Sequence, residues 1–274
     1  GTSRFKDHWS TFPSFAFAWK AKEETFLKDV NWLSDLKLRL GYGMTGQQDG
    51  GGVGDYSYFP IYKITTGTNG FYPIMGNGTF YTPVEYNENL KWETTTTYNA
   101  GLDFGFMKNR LTGSVDWYYR ETTDLLNMSK VPAGSNFRNE VISNIGSLKN
   151  YGIEASLDWK AISTKDWYWT IGYNFTWNKN EITDLTGGSD PNFIIPTGGI
   201  SSGTGNQVQA HAVGHPASSF YVYQQVYGQD GKPIEGLVVD RNGDGTISEA
   251  DKYFYKSPMA PVTMGLTSRL EYKN

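Results

Sequence analysis

Trp92-Glu93-Thr94-Thr95-Thr96-Thr97-Tyr98-Asn99-Ala100-Gly101-Leu102-Asp103-Phe104-Gly105-Phe106 alternates between two kinds of residue. Every second position from Trp92 is apolar, aromatic or β-branched; the positions between are mostly polar or glycine. Successive side chains of a strand point to opposite faces, so the pattern predicts one long strand with a greasy and a wet face. Met107-Lys108-Asn109-Arg110 is a short polar connection with a turn-prone Asn. The alternation then restarts: Leu111, Gly113, Val115, Trp117 and Tyr119 against Thr112, Ser114, Asp116, Tyr118 and Arg120. Two such runs about a tight connection predict a β-hairpin. What the greasy face touches, a protein core or lipid, decides the fold.

The same pattern recurs on both sides. Phe15, Phe17 and Trp19 mark a short strand, and Glu23-Glu24 ahead of Phe26-Leu27 suits one helical turn. Leu36 to Met44, Ile153 to Trp159, Trp167 to Trp177 and Val262 to Leu270 each alternate. Phe220 to Tyr227 is apolar on both faces and reads as a strand that does not span a membrane. Long Gly-, Asn- and Pro-rich excursions occupy 45–90, 121–149 and 179–216, whereas the connections after Phe106 and Trp159 are short. Outer-membrane barrels alternate long outer loops with short periplasmic turns in this way. Trp92, Trp117, Tyr119, Trp159, Trp167, Trp169 and Trp177 crowd the strand ends, where aromatic girdles sit.

Composition agrees with an all-β chain: 32 Gly and 16% aromatic residues in 274. A net charge of −4 and the lack of a basic run with interleaved aromatics argue against nucleic acid. No cysteine is present, so disulfides and thiolate metal sites are excluded. The ends read as mid-fold, which suggests a fragment. The pattern fits either a soluble β-sandwich or a transmembrane barrel. Three features favour the barrel: strands longer than the usual ~5–6 residues, a polar face poor in Lys, and the regular loop asymmetry.

The sharpest chemical motif runs from Asp240 to Asp251 and follows the calcium-loop pattern D-x-[DN]-x-[DN]-G. Asp240, Asn242 and Asp244 would supply side-chain oxygens, Thr246 its carbonyl, and Ser248 a contact through water. Asp251 stands where Glu is usual; its shorter arm should weaken Ca²⁺ or admit Mg²⁺. Without flanking amphipathic helices, such a site would stiffen a loop. The bland alternative is an acidic turn without metal. His211 and His215 have helical metal spacing, but Gly214 and Pro216 argue against a helix there. Tyr56, Tyr58, Phe71, Tyr72 and Tyr81 in the 45–90 excursion could stack on sugar rings, against the commoner role of loop packing. Asp103, Asp116, Glu154, Asp158 and Arg120 share the wet face and could line a path or contact a plug. No G-x-S-x-G, P-loop or H-E-x-x-H motif is present, and the chain offers no case for an enzyme.

Several blocks carry a family resemblance. Phe12-Pro13-Ser14, Leu36-Lys37-Leu38-Arg39-Leu40-Gly41-Tyr42-Gly43-Met44-Thr45-Gly46-Gln47 and Leu90-Lys91-Trp92-Glu93-Thr94-Thr95 resemble SusC/RagA-type TonB-linked outer-membrane proteins. Leu111 to Tyr118, Asp124-Leu125-Leu126, Asn144-Ile145-Gly146 with Gly152-Ile153-Glu154, and the Asp240–Asp251 loop resemble them in the same order. The resemblance implies the later part of a large antiparallel up-and-down transmembrane β-barrel of about 22 strands, with long extracellular loops. The plug, the TonB-box and the last strands lie outside this sequence. It implies import of glycans or peptides across the outer membrane of a Gram-negative, Bacteroidetes-like bacterium, with TonB and a SusD-like lipoprotein as partners. Residues 179–260 would form one extracellular excursion holding the calcium-type loop. The competing expectation is a secreted, calcium-stabilised β-sandwich adhesin or glycan-binding module.

Overall fold

The computed structural model describes residues 1–50, 52–64, 81–200 and 207–273. β1 (Ser14–Lys20) leads through a 3-10 turn and one helical turn (Thr25–Lys28) into β2 (Leu33–Gln47). The first excursion carries a small hairpin, β3 (Tyr62–Ile64) and β4 (Tyr81–Pro83). Then come β5 (Glu93–Phe106) and β6 (Leu111–Thr123), the hairpin expected from the alternation. A second small hairpin, β7 (Leu126–Lys130) and β8 (Glu140–Asn144), precedes β9 (Ser147–Ser163) and β10 (Trp167–Asp184). The last excursion holds β11 (Ile194–Gly199), β12 (Gln207–Ala212), β13 (Ser219–Val222), β14 (Gln225–Tyr227), β15 (Pro233–Val238) and β16 (Tyr253–Phe254). β17 (Val262–Tyr272) closes the chain.

Seven strands form one antiparallel sheet in the order β1-β2-β5-β6-β9-β10-β17. Each wall strand pairs with the next wall strand in the chain, an up-and-down order, and the sheet is an open arc. The connections β1–β2, β5–β6 and β9–β10 meet at one rim; the three long excursions leave from the other. Register shifts sit near the short-turn rim and at the far end of β9–β10, so the alternation stays in phase between them.

That phase sets the two faces. One cross-strand row reads Trp19, Leu38, Leu102, Val115, Ala155 and Phe175. Its outer end and neighbouring rows stay exposed: Phe15 is 65%, Met264 65% and Leu266 74% accessible. A sandwich would bury this face under a second sheet; here no sheet covers it among the described residues. Four residues above Leu102, Tyr42, Tyr98, Tyr119 and Tyr151 form an unbroken tyrosine row, neighbouring ring centroids 5.2–6.4 Å apart. Four residues below, Phe106 stacks on Trp32 at 5.7 Å, and nearer the turn rim Trp167 meets Tyr272 at 4.4 Å. Aromatic belts therefore bound the apolar band on both sides.

Two sequence expectations need correction. Trp92 does not join the outward belt. It precedes β5 and packs edge-on against Phe5 and Phe12, both 5.7 Å away, beside a core of Phe5, Val53, Leu90, Leu126 and Ile142. The excursions turn back over the rim and offer that indole a dry partner. The strands also outrun their alternation. β9 begins at Ser147 because Leu148 and Lys149 pair with Thr122 and Glu121. Beyond the tyrosine row the outward face turns polar, with Lys149 bonded to Glu181 at 2.9 Å, while Leu148 pairs with Ile182 on the inner face, so the greasy–wet phase of the lower strand does not carry on.

Candidate functional site

The polar face of the sheet gathers charges from neighbouring strands. Arg39 on β2 donates to both oxygens of Asp103 on β5 (2.9 and 2.8 Å) and reaches Asp116 on β6 at 3.0 Å. Lys37 lies 3.8 Å from Asp103. Arg39 and Asp116 close over Gly101, where a side chain would collide with both. Toward the long-loop rim the face opens into a trough of about 530 Å³ lined by Asn99, Asp116, Tyr118, Arg120, Asn150 and Glu154, among others. The sequence put Asp103, Asp116, Glu154, Asp158 and Arg120 on one face, and the register does the same. It missed Asn99, Tyr118 and Asn178 as a group. Their wet-face parity was visible, but their adjacency needs the pairing of β5, β6, β9 and β10.

The excursions are built rather than loose. Phe5 is fully buried among residues from the first two excursions, and Glu93, 7% exposed, accepts the Leu126 amide at 2.8 Å. Arg4 pairs with Asp49 and donates to the Gln48 carbonyl. The third excursion docks on the upper end of β10. Gly214 donates to the Ile182 carbonyl (2.8 Å), Ile182 to that of His215 (2.9 Å), and Ala217 to the Asn180 side chain (2.7 Å).

Within it, the 240–251 loop closes through Asx turns. Asp240 accepts the amides of Gly243 (2.7 Å) and Gly245 (2.8 Å), Asn242 that of Asp244 (3.0 Å), and Asp244 that of Thr246 (2.8 Å). Gly243 and Gly245 have φ of 73° and 82°, the left-handed backbone that such a tight loop demands. Asp251 is 0% exposed and accepts amides from Ser248 (2.8 Å) and Arg241 (2.8 Å). These donors, Ser248 first, hold its carboxyl below the usual carboxylate range against the opposing pull of burial. Among the described residues no three His, Asp or Glu side chains converge as a metal cluster. The donors are nonetheless all hard oxygens, the chemistry of Ca²⁺ and Mg²⁺. Each carboxylate also has about four lone-pair sites, more than the amides take up. Arg241 clips the loop to its surroundings, 4.3 Å over Tyr253 and 2.6 Å from Gln224.

Of the other candidates, His211 accepts the Ser218 amide through Nδ1 (3.1 Å), and burial lowers its pKa. His215 stacks on Phe254 at 3.9 Å. The two rings serve different contacts. Tyr56 and Tyr58 lie 6.5 Å apart, while Tyr81 sits on the separate β3–β4 hairpin. Phe71 and Tyr72 lie outside the described residues.

Comparison with known proteins agrees with this architecture. The family model described as TonB dependent receptor-like, beta-barrel matches residues 1–235. The whole chain is 57% identical to the TonB-dependent receptor SusC of Bacteroides thetaiotaomicron and covers 27% of that protein. It is 34% identical to TonB-dependent receptor P3 of Formosa agariphila, again over its whole length and 28% of the relative. The solved RagAB peptide transporter superposes with a TM-score of 0.76 at 27% identity, over 99% of this chain and 29% of that one. The chain thus spans little more than a quarter of these relatives, which are receptors and transporters rather than enzymes. An up-and-down sheet with an exposed greasy face, matched along its length by these proteins, makes this chain a member of the TonB-dependent receptor β-barrel family, of the SusC/RagA type.

Proposed function

We propose that this chain forms barrel wall and outer loops of a TonB-dependent importer that brings oligomeric nutrients, glycan or peptide, across a Gram-negative outer membrane. The observation that carries this is the greasy band between two aromatic belts. Such a band suits the hydrocarbon layer, where every strand must be paired. The short-turn rim is then periplasmic and the excursions extracellular. A SusD-like surface lipoprotein would cover the outer mouth, and TonB would act through a region outside this sequence. Support for that partnership lies in the likeness to SusC and to RagAB.

Deletion of the gene should abolish growth on a particular glycan or peptide from a broad panel. The purified full-length protein should need detergent or lipid to stay monodisperse. A monodisperse, detergent-free protein would sink the membrane reading, and unchanged growth on the whole panel would sink the import reading.

The 240–251 loop is proposed to hold a structural Ca²⁺ through Asp240, Asn242, Asp244, Thr246, Ser248 and Asp251, with Mg²⁺ as the alternative ion. Extracellular modules bind Ca²⁺ at about 10⁻⁴–10⁻³ M, enough for a site that only stiffens a loop. Chelation should open this loop of the full-length protein to proteolysis, and Ca²⁺ should restore resistance. Equal cleavage with and without chelator argues for a metal-free turn.

A further inference from the structure

Between the β5–β6 and β9–β10 turns, the short-turn rim opens into a shallow cleft of about 570 Å³. Met107, Lys108 and Arg110 line one side; Lys160, Ala161 and Ile162 line the other. The lining holds three cations and, among the described residues, no carboxylate, on a chain whose net charge is −4. Asp158, two residues before Lys160, lies toward Gly172 of β10. In the β9–β10 turn Lys165 offsets Asp166.

Local structure fixes these cations. A register skip leaves Ala161 between the pairs Lys160–Thr170 and Ile162–Trp169. Such a bulge turns backbone groups out of the ladder. Arg110 takes them up: Nε and Nη2 donate to the Lys160 carbonyl at 3.4 and 3.3 Å, and Nη2 to that of Ala161 at 3.0 Å. Those bonds use one flank of the guanidinium; Nη1 at its end carries two further N–H donors. A guanidinium held in this way loses little freedom on meeting a phosphate, whose oxygens match its fork. Lys108 is the middle of three consecutive left-handed residues, Met107 to Asn109, which fix its backbone at the rim.

Position narrows the ligand. Phe106 of the aromatic belt directly precedes Met107–Arg110, and Trp167 follows the other side of the cleft. Aromatic belts mark the headgroup level of a bilayer. The outward row just above pairs Leu111 with Trp159, and Ile162 pairs with the outward Trp169. Met107, Trp159 and Ile162 are exposed. A ligand here meets cations at one end and greasy side chains at the other, the two-part chemistry of an anionic lipid. The four framing strands, β5, β6, β9 and β10, are paired with one another inside this chain. Strands beyond it would join at β1 and β17, the ends of the sheet, and not at this cleft.

We propose that the cleft binds the headgroup phosphate of an anionic glycerophospholipid in the leaflet at the short-turn rim. Arg110, Lys108 and Lys160 contact the phosphate, and the acyl chains lie against Trp159 and Ile162. The proposal rests on the membrane reading above. The test titrates the full-length protein in neutral detergent, by native mass spectrometry, with dioleoylphosphatidylglycerol and in parallel with dioleoylphosphatidylcholine. The first phosphatidylglycerol should bind about tenfold or more tightly than the first phosphatidylcholine. Lys108→Gln with Lys160→Gln leaves Arg110 and its carbonyl bonds in place and should weaken that step by about tenfold or more. Arg110→Lys should weaken it too, because an ammonium lacks the fork. Lys130→Gln with Lys232→Gln, an equal charge change on the excursions, should leave it within about twofold. Heat-dependent gel mobility checks that each variant is folded. Equal binding of the two lipids, or unchanged phosphatidylglycerol binding in the folded Lys108→Gln, Lys160→Gln protein, overturns the site. Displacement of the lipid by glycerol 3-phosphate would assign the cleft to a soluble phosphate ester and overturn the lipid reading. None of these results touches the importer reading, which fails only on the growth and detergent tests.

Discussion

Asp251 shows what a single residue does in this protein. It lies at the end of a polar loop, yet it is fully buried with backbone amides on both oxygens. Its pKa is lowered in the fold, so its stabilising contribution is complete above the unfolded value of about 3.9. That contribution fades as pH falls through the lowered value. The 240–251 loop should therefore keep its amide-exchange protection at pH 5 and lose it toward pH 2. Asp251→Ala should remove the protection at neutral pH, leaving the wall strands unaffected. A second residue-scale case is the β5–β6 turn. Met107, Lys108 and Asn109 all take the left-handed conformation, with φ of 53°, 57° and 60°. Asn tolerates that region and β-branched residues do not. Asn109→Val should cost about 1–2 kcal/mol in reversible unfolding, whereas Lys108→Gly should be neutral or stabilising.

At the scale of the element, the β5–β6 hairpin carries the membrane argument. Leu102 and Val115 are cross-strand partners midway between the tyrosine row and Phe106. Arg at either position should cost roughly 2–4 kcal/mol, the penalty near a bilayer midplane. Asn99→Arg, three residues before Leu102 and on the polar face, should be far milder. Refolding into lipid vesicles across a urea series measures both. The hairpin was legible in the sequence because a period of two survives any tertiary context that leaves one face apolar. Trp92 was not, since its parity matched the greasy face but its neighbours come from residues 5 and 12. The upper part of β9 was hidden for the opposite reason. Above the tyrosine row Lys149 pairs with Glu121 and Glu181 on the outward face while Leu148 meets Ile182 on the inner one, so the greasy–wet phase of the lower strand is lost.

At the scale of the whole molecule, the wall and the excursions are held by different forces. The wall relies on backbone pairing and on what surrounds its exposed greasy face. The excursions rely on a small core centred on Phe5. Phe5→Ala should cost about 3–5 kcal/mol locally and open residues 1–13 and 48–60 to limited proteolysis. The heat-dependent gel mobility of the barrel should stay unchanged. An equal loss of both would mean that the two parts fold as one unit.

The sequence by itself determined the all-β class, the hairpins, the two faces, the short-turn and long-loop rims, and the shape of the 240–251 loop. All of these rest on local spacing, either the two-residue period of a strand or the fixed positions of a turn. Only the tertiary structure decided which strands neighbour one another, where Trp92 goes, and that Asn99, Tyr118 and Asn178 line one trough. Those facts depend on register between strands far apart in the chain. Register is set by the pairing of whole strands, to which no single stretch of sequence has access.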